Sequence, residues 1–312
     1  MNKGGETIMR IILIGQAAFA EKTLEKLTSK GEEVLAVFCP PDAPGGKFDP
    51  VKQRALRLGI PVHQHKTLKT PEVREQFAAL NADLAILAFV TQIVPPQVFN
   101  LPRFGSICFH PSLLPKYRGR SAINWALING EAKTGVTLFW VDEGIDTGPI
   151  LLQKEVTVGP DDTTGTLYFN KLFPVGVDAI AESVDLIKAG NPPRIVQDES
   201  RANYDPPCGD EHGRVDWTQP AQAVYNRIRG CDPQPGAYTM WQGKMVRLYD
   251  CRLKMGAGSW SPGQVTAIEG EDVHIAASGG TIIAKKVRGE SGKVAAAEFA
   301  QQNGVRLGSQ LG

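Results

Sequence analysis

Apolar residues in this chain come first in short unbroken runs and later in alternating ones. Residues 10–15, Arg-Ile-Ile-Leu-Ile-Gly, form a continuous β-branched run ending in glycine, the pattern of a central parallel strand buried on both faces. A helical pattern carrying Leu24 and Leu27 follows and stops at Gly31. Residues 33–38, 60–62, 83–90, 135–141 and 151–158 read as further strands. Residues 51–58, 71–80 and 121–128 read as helices, and 163–189 as one or two more, so strand and helix alternate as in an α/β sheet. The lone glycine at position 15 is not the Gly-x-Gly-x-x-Gly that cradles a dinucleotide pyrophosphate. From residue 206 on the rhythm changes: a helix over 221–229 precedes short strands at 246–249, 273–275 and 281–283 separated by glycine turns, which predicts a small β-barrel.

The proline-rich polar stretch from Pro192-Pro193 to Pro206-Pro207 is a boundary signature. It divides the chain into a leader (1–8), an α/β domain with a Rossmann-like parallel sheet (9–205) and a small open, OB-like β-barrel domain (206–312).

Composition narrows the function classes. The chain has 312 residues, 42% hydrophobic and 21% charged, with a net charge of +1, which suits globular domains. No run reaches the roughly 18 apolar residues that a membrane helix needs, and the first eight residues lack the apolar core of a signal peptide. From residue 206 on, 12 Lys+Arg face 10 Asp+Glu, against 22 and 23 before it, so no basic domain advertises nucleic-acid binding. Five scattered cysteines (39, 108, 208, 231, 251) without a Cys-x-x-Cys pair argue against a disulfide framework or structural zinc and fit a reducing cytoplasm. His63 and His65 share a face without an acidic or cysteine ligand nearby, so no metal is expected.

The chemistry concentrates in Phe109-His110-Pro111-Ser112-Leu113-Leu114-Pro115, continued by Tyr117-Arg118-Gly119, and in the loop Asp142-Glu143-Gly144-Ile145-Asp146-Thr147-Gly148. A histidine at the end of a buried strand and an aspartate flanked by glycines suggest an acid/base pair on stiff supports. Arg118 is suited equally to a substrate carboxylate or a structural salt bridge.

These motifs, with Ser121-Ala122-Ile123-Asn124-Trp125 and Gly148-Pro149-Ile150-Leu151-Leu152-Gln153-Lys154-Glu155, resemble the folate-dependent formyltransferase family. Within it the chain is most similar to the hydrolase domain of 10-formyltetrahydrofolate dehydrogenases, and it is also similar to methionyl-tRNA formyltransferases. The resemblance implies 10-formyltetrahydrofolate as formyl donor, with His110 and Asp146 catalytic. It implies contacts to the folate from Gln92, Ile93 and Val94 and from Ser112, Leu113, Leu114 and Pro115, with Asp142 in the neighbouring acidic loop. Most of the family carries Asn-x-His, and here Cys108 stands at the asparagine, where the amide stabilises charge on the formyl oxygen. The resembled hydrolase domain also lacks that asparagine.

The expected activity is therefore formyl release from the folate as formate. The alternatives are transfer to an amine, such as methionyl-tRNA or an amino sugar, and folate binding with little turnover. The family's tRNA-contacting loop is longer and basic where this chain has 39–50 with Lys47 alone, which disfavours tRNA. A carrier or aldehyde-dehydrogenase partner acting in trans would complete the dehydrogenase-like route.

Overall fold

In the computed structural model, which describes residues 8–256 and 258–312, the chain forms two compact units. The expected leader lies outside the described residues, apart from Ile8. Of the described residues, one unit comprises 8–118 with 135–156 and 171–204; the other comprises 119–134, 157–170, 205–256 and 258–312.

In chain order the elements are β1 (Arg10–Gly15), α1 (Ala17–Ser29), β2 (Glu33–Cys39), α2 (Pro50–Arg57), β3 (Val62–Gln64), α3 (Pro71–Leu80), β4 (Leu84–Ala88), α4 (Pro96–Phe99) and β5 (Ser106–His110). They continue with α5 (Ala122–Ile128), β6 (Lys133–Trp140), β7 (Ile150–Thr157), α6 (Thr164–Leu167), α7 (Phe173–Lys188), α8 (Asp210–Gly213) and α9 (Ala221–Gly230). The last are β8 (Tyr238–Trp241), β9 (Lys244–Met255), β10 (Val265–Glu269), β11 (Asp272–Ala277), β12 (Gly280–Gly289), β13 (Gly292–Ala295) and α10 (Ala296–Asn303).

The first sheet runs β3-β2-β1-β4-β5-β6-β7. It is parallel from β3 through β5, as the unbroken apolar runs predict, and β6 then pairs antiparallel with β5. The sheet is therefore mixed, and its antiparallel step places Thr137 beside His110. Ile12 and Ile14 of β1 join one buried cluster with Val73, Phe77 and Val98. On α1, Phe19 stacks at 4.2 Å on Phe109 of β5 and meets Phe173 of α7 edge-on. Both faces are thus covered, which is why residues 11–14 of β1 are all apolar. β3 begins two residues later than its apolar pattern suggests, because Pro61 has no N–H to give the ladder.

The second sheet runs β10-β11-β12-β9-β8, with β13 also on β12, and its strand pairs are antiparallel, in the open-barrel class expected. The helix α9 lays Ala221, Val224, Tyr225 and Ile228, spaced at one helical stripe, into a core with Val246, Leu248, Ile275 and Ile282. Between α6 and α7 the backbone widens into a π turn over Tyr168–Leu172. Pro174, in the first turn of α7, cannot donate the hydrogen bond that a regular helix would need there.

Candidate active site

The parallel strands deliver their loops to one edge of the sheet. Left-handed backbones are held by Ala17 at the start of α1, Phe89 after β4, Tyr117 after β5 and, in the loop after the antiparallel β6, Asp146, with φ of +59°, +61°, +59° and +56°. Such conformations cost of order 1–3 kcal/mol each and persist where the surroundings over-determine them, typically at functional sites.

His110 ends β5 and is buried. Its Nε2 lies 2.7 Å from the Tyr117 carbonyl oxygen. A carbonyl only accepts, so Nε2 carries the hydrogen and donates it. Nδ1 then faces the Asp146 carboxylate at 3.4 Å. The two residues lie 36 positions apart in the sequence, and their convergence is the centre of the site.

Strand alternation puts Cys108 on the same face as His110. There it packs against the cluster that holds Leu87 and Val94, beside Val90 and Val141. Burial, followed by the negative charge of Asp146, pushes the Cys108 thiol well above its ordinary range. At neutral pH it is therefore an S–H group, a weak hydrogen-bond donor and not a thiolate nucleophile.

The segment after His110 is held from below. Thr137, fully buried on β6, donates through Oγ1 to the Ser112 carbonyl at 2.7 Å. The same oxygen accepts from the Leu114 amide at 3.2 Å and from Gln153 Nε2 at 2.9 Å. Gln153 also donates to the Leu114 carbonyl. Ser112, Leu114 and Pro115 are buried, and the Ser112 hydroxyl donates to the Lys116 carbonyl, so these side chains shape the loop while Leu113 remains half-exposed. Thr137→Val keeps shape and strand propensity but strips this hub. It is expected to cost about 2 kcal/mol, because buried backbone groups lose their partners, read as a lower thermal midpoint.

Of the other expected contact residues, Ile93 is 65% exposed and Phe89 joins it at 42%, so the 89–95 loop offers an apolar rim. Val94 is instead packed in the core, which leaves only its backbone to meet a ligand. The Gln92 amide donates to the carbonyls of His65 and Lys66, and the residue lines a cavity with Phe89, Val90 and Thr91. Asp142 spends its Oδ1 on the Gly144 amide and the Thr147 hydroxyl, closing the turn that presents Asp146. At Gly148 a Cβ would fall 1.7 Å from the Trp140 carbonyl oxygen, so only glycine lets this loop fold back over β6. His63 and His65 stack with Phe38, and His65 bonds Gln76. Among the described residues no group of three His, Cys, Asp or Glu is placed to hold a metal.

Two features lay outside the reach of the pattern. The boundary-like segment after residue 192 is a clamp. Gln197 Nε2 donates to the carbonyls of Asp146 and Gly148 at 2.9 and 2.7 Å, while its Oε1 accepts from Arg118 Nε and Nη2. Arg118 also pairs with both oxygens of Glu199, and Asn203 Oδ1 accepts from the Tyr117 amide. Arg118 is thus a structural residue. The loop over 39–50 is likewise built, not slack. The Asp49 carboxylate accepts from the amides of Ala17 and Val51 and so fills the N-terminus of α1, the place where a helix would otherwise receive an anion. Asp42 accepts from the Asp49 amide and pairs with Lys52.

The formyl transferase family model matches residues 9–180, and its C-terminal domain model matches 209–304. The chain is 39% identical over 310 residues to the methionyl-tRNA formyltransferase of Geotalea uraniireducens, across 97% of this chain and 98% of that protein. It is 46% identical over 237 residues to the cytosolic 10-formyltetrahydrofolate dehydrogenase of Xenopus tropicalis, across 74% of this chain but 26% of that protein. Among solved structures, HypX from Aquifex aeolicus in complex with tetrahydrofolic acid matches with a TM-score of 0.69 at 22% identity, over 95% of this chain and 47% of that one, a likeness of fold. The expectation that tRNA is disfavoured gains no support here, since relatives along the whole chain carry the tRNA enzyme's name. Within the loop over 39–50 the acidic groups serve the local fold: Asp42 pairs with Lys52 of α2, and Asp49 accepts from the amides of Ala17 and Val51.

Proposed function

The chain belongs to the formyl transferase family, and from that premise we propose that it moves the formyl group of 10-formyltetrahydrofolate to an amine, methionyl-tRNA being the acceptor class to test first. The observation that carries this reading is the meeting of His110 and Asp146 next to Cys108 and the 89–95 loop.

In this reading Asp146 and His110 work as one proton carrier. The amine nitrogen attacks the formyl carbon, and the tetrahedral intermediate collapses by breaking the bond to folate N10. One proton must pass from the amine to N10. With Nε2–H committed to the Tyr117 carbonyl, Nδ1 and the Asp146 carboxylate are the groups that take and return it. Ile93 and the backbone at Val94 wall the pterin, Gln92 holds that loop in place, and residues 112–115 line the opposite side with Leu113 foremost. Asp142 shapes the loop that carries Asp146. Residues 9–205 form the catalytic part, and 206–312 position the acceptor.

Following tetrahydrofolate release with and without methionyl-tRNA or small amines tests the assignment. Turnover that requires the acceptor supports it, and equal turnover without any acceptor overturns it in favour of hydrolysis. Hydrolysis is the second reading, and Cys108 favours it through the resemblance to the hydrolase domain that also lacks the asparagine; a thiol stabilises the oxyanion that forms in either reaction less than an amide does. A missing oxyanion donor costs about a hundredfold or more. Cys108→Asn is therefore expected to raise acceptor-dependent turnover by about tenfold, and a fall in that rate counts against an oxyanion role for position 108.

A further inference from the structure

The backbone that receives the His110 hydrogen is itself held by a residue of the strap, Asn203. The Tyr117 carbonyl accepts from His110 Nε2 at 2.7 Å. That carbonyl belongs to the Tyr117–Arg118 peptide, whose N–H, on Arg118, donates to the Asn203 carbonyl at 3.1 Å. The Tyr117 amide donates to Asn203 Oδ1 at 2.8 Å. Asn203 thus grips the backbone on both sides of the Tyr117 Cα, and Tyr204 continues the contact as a parallel bridge to Arg118. Tyr117 needs such a grip. Its backbone is left-handed, with φ +59°, and a bulky residue leaves that region unless its surroundings keep it there.

We propose that Asn203 is a positioning residue for the transfer: by holding Tyr117 left-handed it aims the Tyr117 carbonyl at His110 Nε2, and so fixes the imidazole in the tautomer that leaves Nδ1 bare. The inference rests on the reading of His110 and Asp146 as the proton carrier. A neutral imidazole has one hydrogen to place on two nitrogens, and the hydrogen bonds around it decide which. His110 has an acceptor on each side, the Tyr117 carbonyl 2.7 Å from Nε2 and the Asp146 carboxylate 3.4 Å from Nδ1. The shorter contact decides for Nε2. The Arg118 N–H bond to Asn203 adds to this, since an amide bonded at its hydrogen has a more polarised carbonyl. With that carbonyl turned away, the hydrogen shifts to Nδ1 and is spent on Asp146, and the nitrogen that must take the amine's proton is blocked.

The strap after residue 192 thereby sets both members of the pair. Gln197 fastens the loop of Asp146, Asn203 fastens the acceptor of His110, and Glu199 grips the Arg118 guanidinium between them.

The test uses the full-length protein, isotope-labelled at the nitrogens of its five histidines, with His110 assigned by the signals that His110→Gln removes. Long-range proton–nitrogen spectra at about pH 9, where ordinary imidazoles are neutral, are expected to show His110 Nε2 protonated and Nδ1 bare. The opposite tautomer in the unmodified protein overturns the proposal before any variant is made. Asn203→Ala removes the acceptor of the Tyr117 amide. It is expected to draw the two nitrogen signals towards their mean and to lower kcat about tenfold to a hundredfold with KM within about threefold. Asn203→Asp keeps an oxygen for that amide and is expected to restore the spectrum, and kcat to within about threefold of the unmodified protein. A lower thermal midpoint in Asn203→Ala with an unchanged His110 spectrum makes Asn203 a support of the fold alone and overturns the proposal. The spectrum is read without substrate, so it judges Asn203 even if turnover proves independent of an amine acceptor or of Asp146, results that strike the transfer reading instead.

Discussion

Asp146→Asn is expected to lower turnover about a thousandfold, within the range that positioned proton transfer supplies, while the folate dissociation constant stays within about threefold. Asparagine is the informative replacement. Position 146 has φ +56°, a conformation that asparagine tolerates and alanine resists, so the loop keeps its shape. The Gln197 amide still finds the residue's carbonyl. What changes is the group facing His110 Nδ1: a carboxylate that attracts a proton becomes an amide that does not. A second reading of the same variant comes from Cys108, whose thiol is raised first by burial and then by the Asp146 charge. With the charge gone, alkylation of Cys108 at alkaline pH is expected to quicken, while burial still keeps the thiol above its ordinary range. Turnover within tenfold of the unmodified enzyme would remove Asp146 from the chemistry. A large loss of folate affinity would reassign it to binding.

The scaffold and the two candidate catalytic residues, His110 and Asp146, are legible in the sequence for different reasons. Strands such as Ile11–Ile14 are legible because burial on both faces leaves no polar position to interrupt the run. The helix Pro71–Leu80 is legible through its early proline, and the structure adds the Thr70 cap. His110 and Asp146 stand out only through the motif around each. Alternation and spacing say nothing about two residues 36 positions apart meeting at 3.4 Å. The antiparallel β6 was hidden because strand periodicity is blind to direction. Phe89 and Tyr117 gave no sign of their left-handed backbones, since bulky residues avoid that region in isolation. The side-chain surroundings of Gln92 and Val94 are not legible from the motif. Their position in the loop is as expected, yet one side chain bonds the backbone at residues 65 and 66 and the other fills the core. The clamp after residue 192 was hidden most completely. A polar, proline-rich composition describes a linker and an ordered strap equally well, and only side-chain partners separate them.

That strap carries the second large effect. Gln197→Leu is expected to destabilise the first unit by about 3 kcal/mol, because it strips partners from two carbonyls and from the Arg118 Nε while keeping nearly the same volume. Gln197 is 5% exposed, so solvent cannot replace what is lost. The glutamine amide is also the link between the Arg118 guanidinium and the backbone on both sides of Thr147. Without it the backbone of the loop that carries Asp146 loses two anchoring hydrogen bonds, and a displacement near 1 Å of its carboxylate is enough to cost about a hundredfold in rate. Gln197→Glu separates the two halves of this role. A carboxylate still accepts from Arg118, so stability should recover in part, but it cannot donate to the carbonyls of Asp146 and Gly148, so turnover should stay low. Melting curves and single-turnover rates on folded protein distinguish the outcomes. If the glutamate variant regains both stability and rate, or the leucine variant loses stability alone, Gln197 merely supports the fold and the loop positions Asp146 by itself.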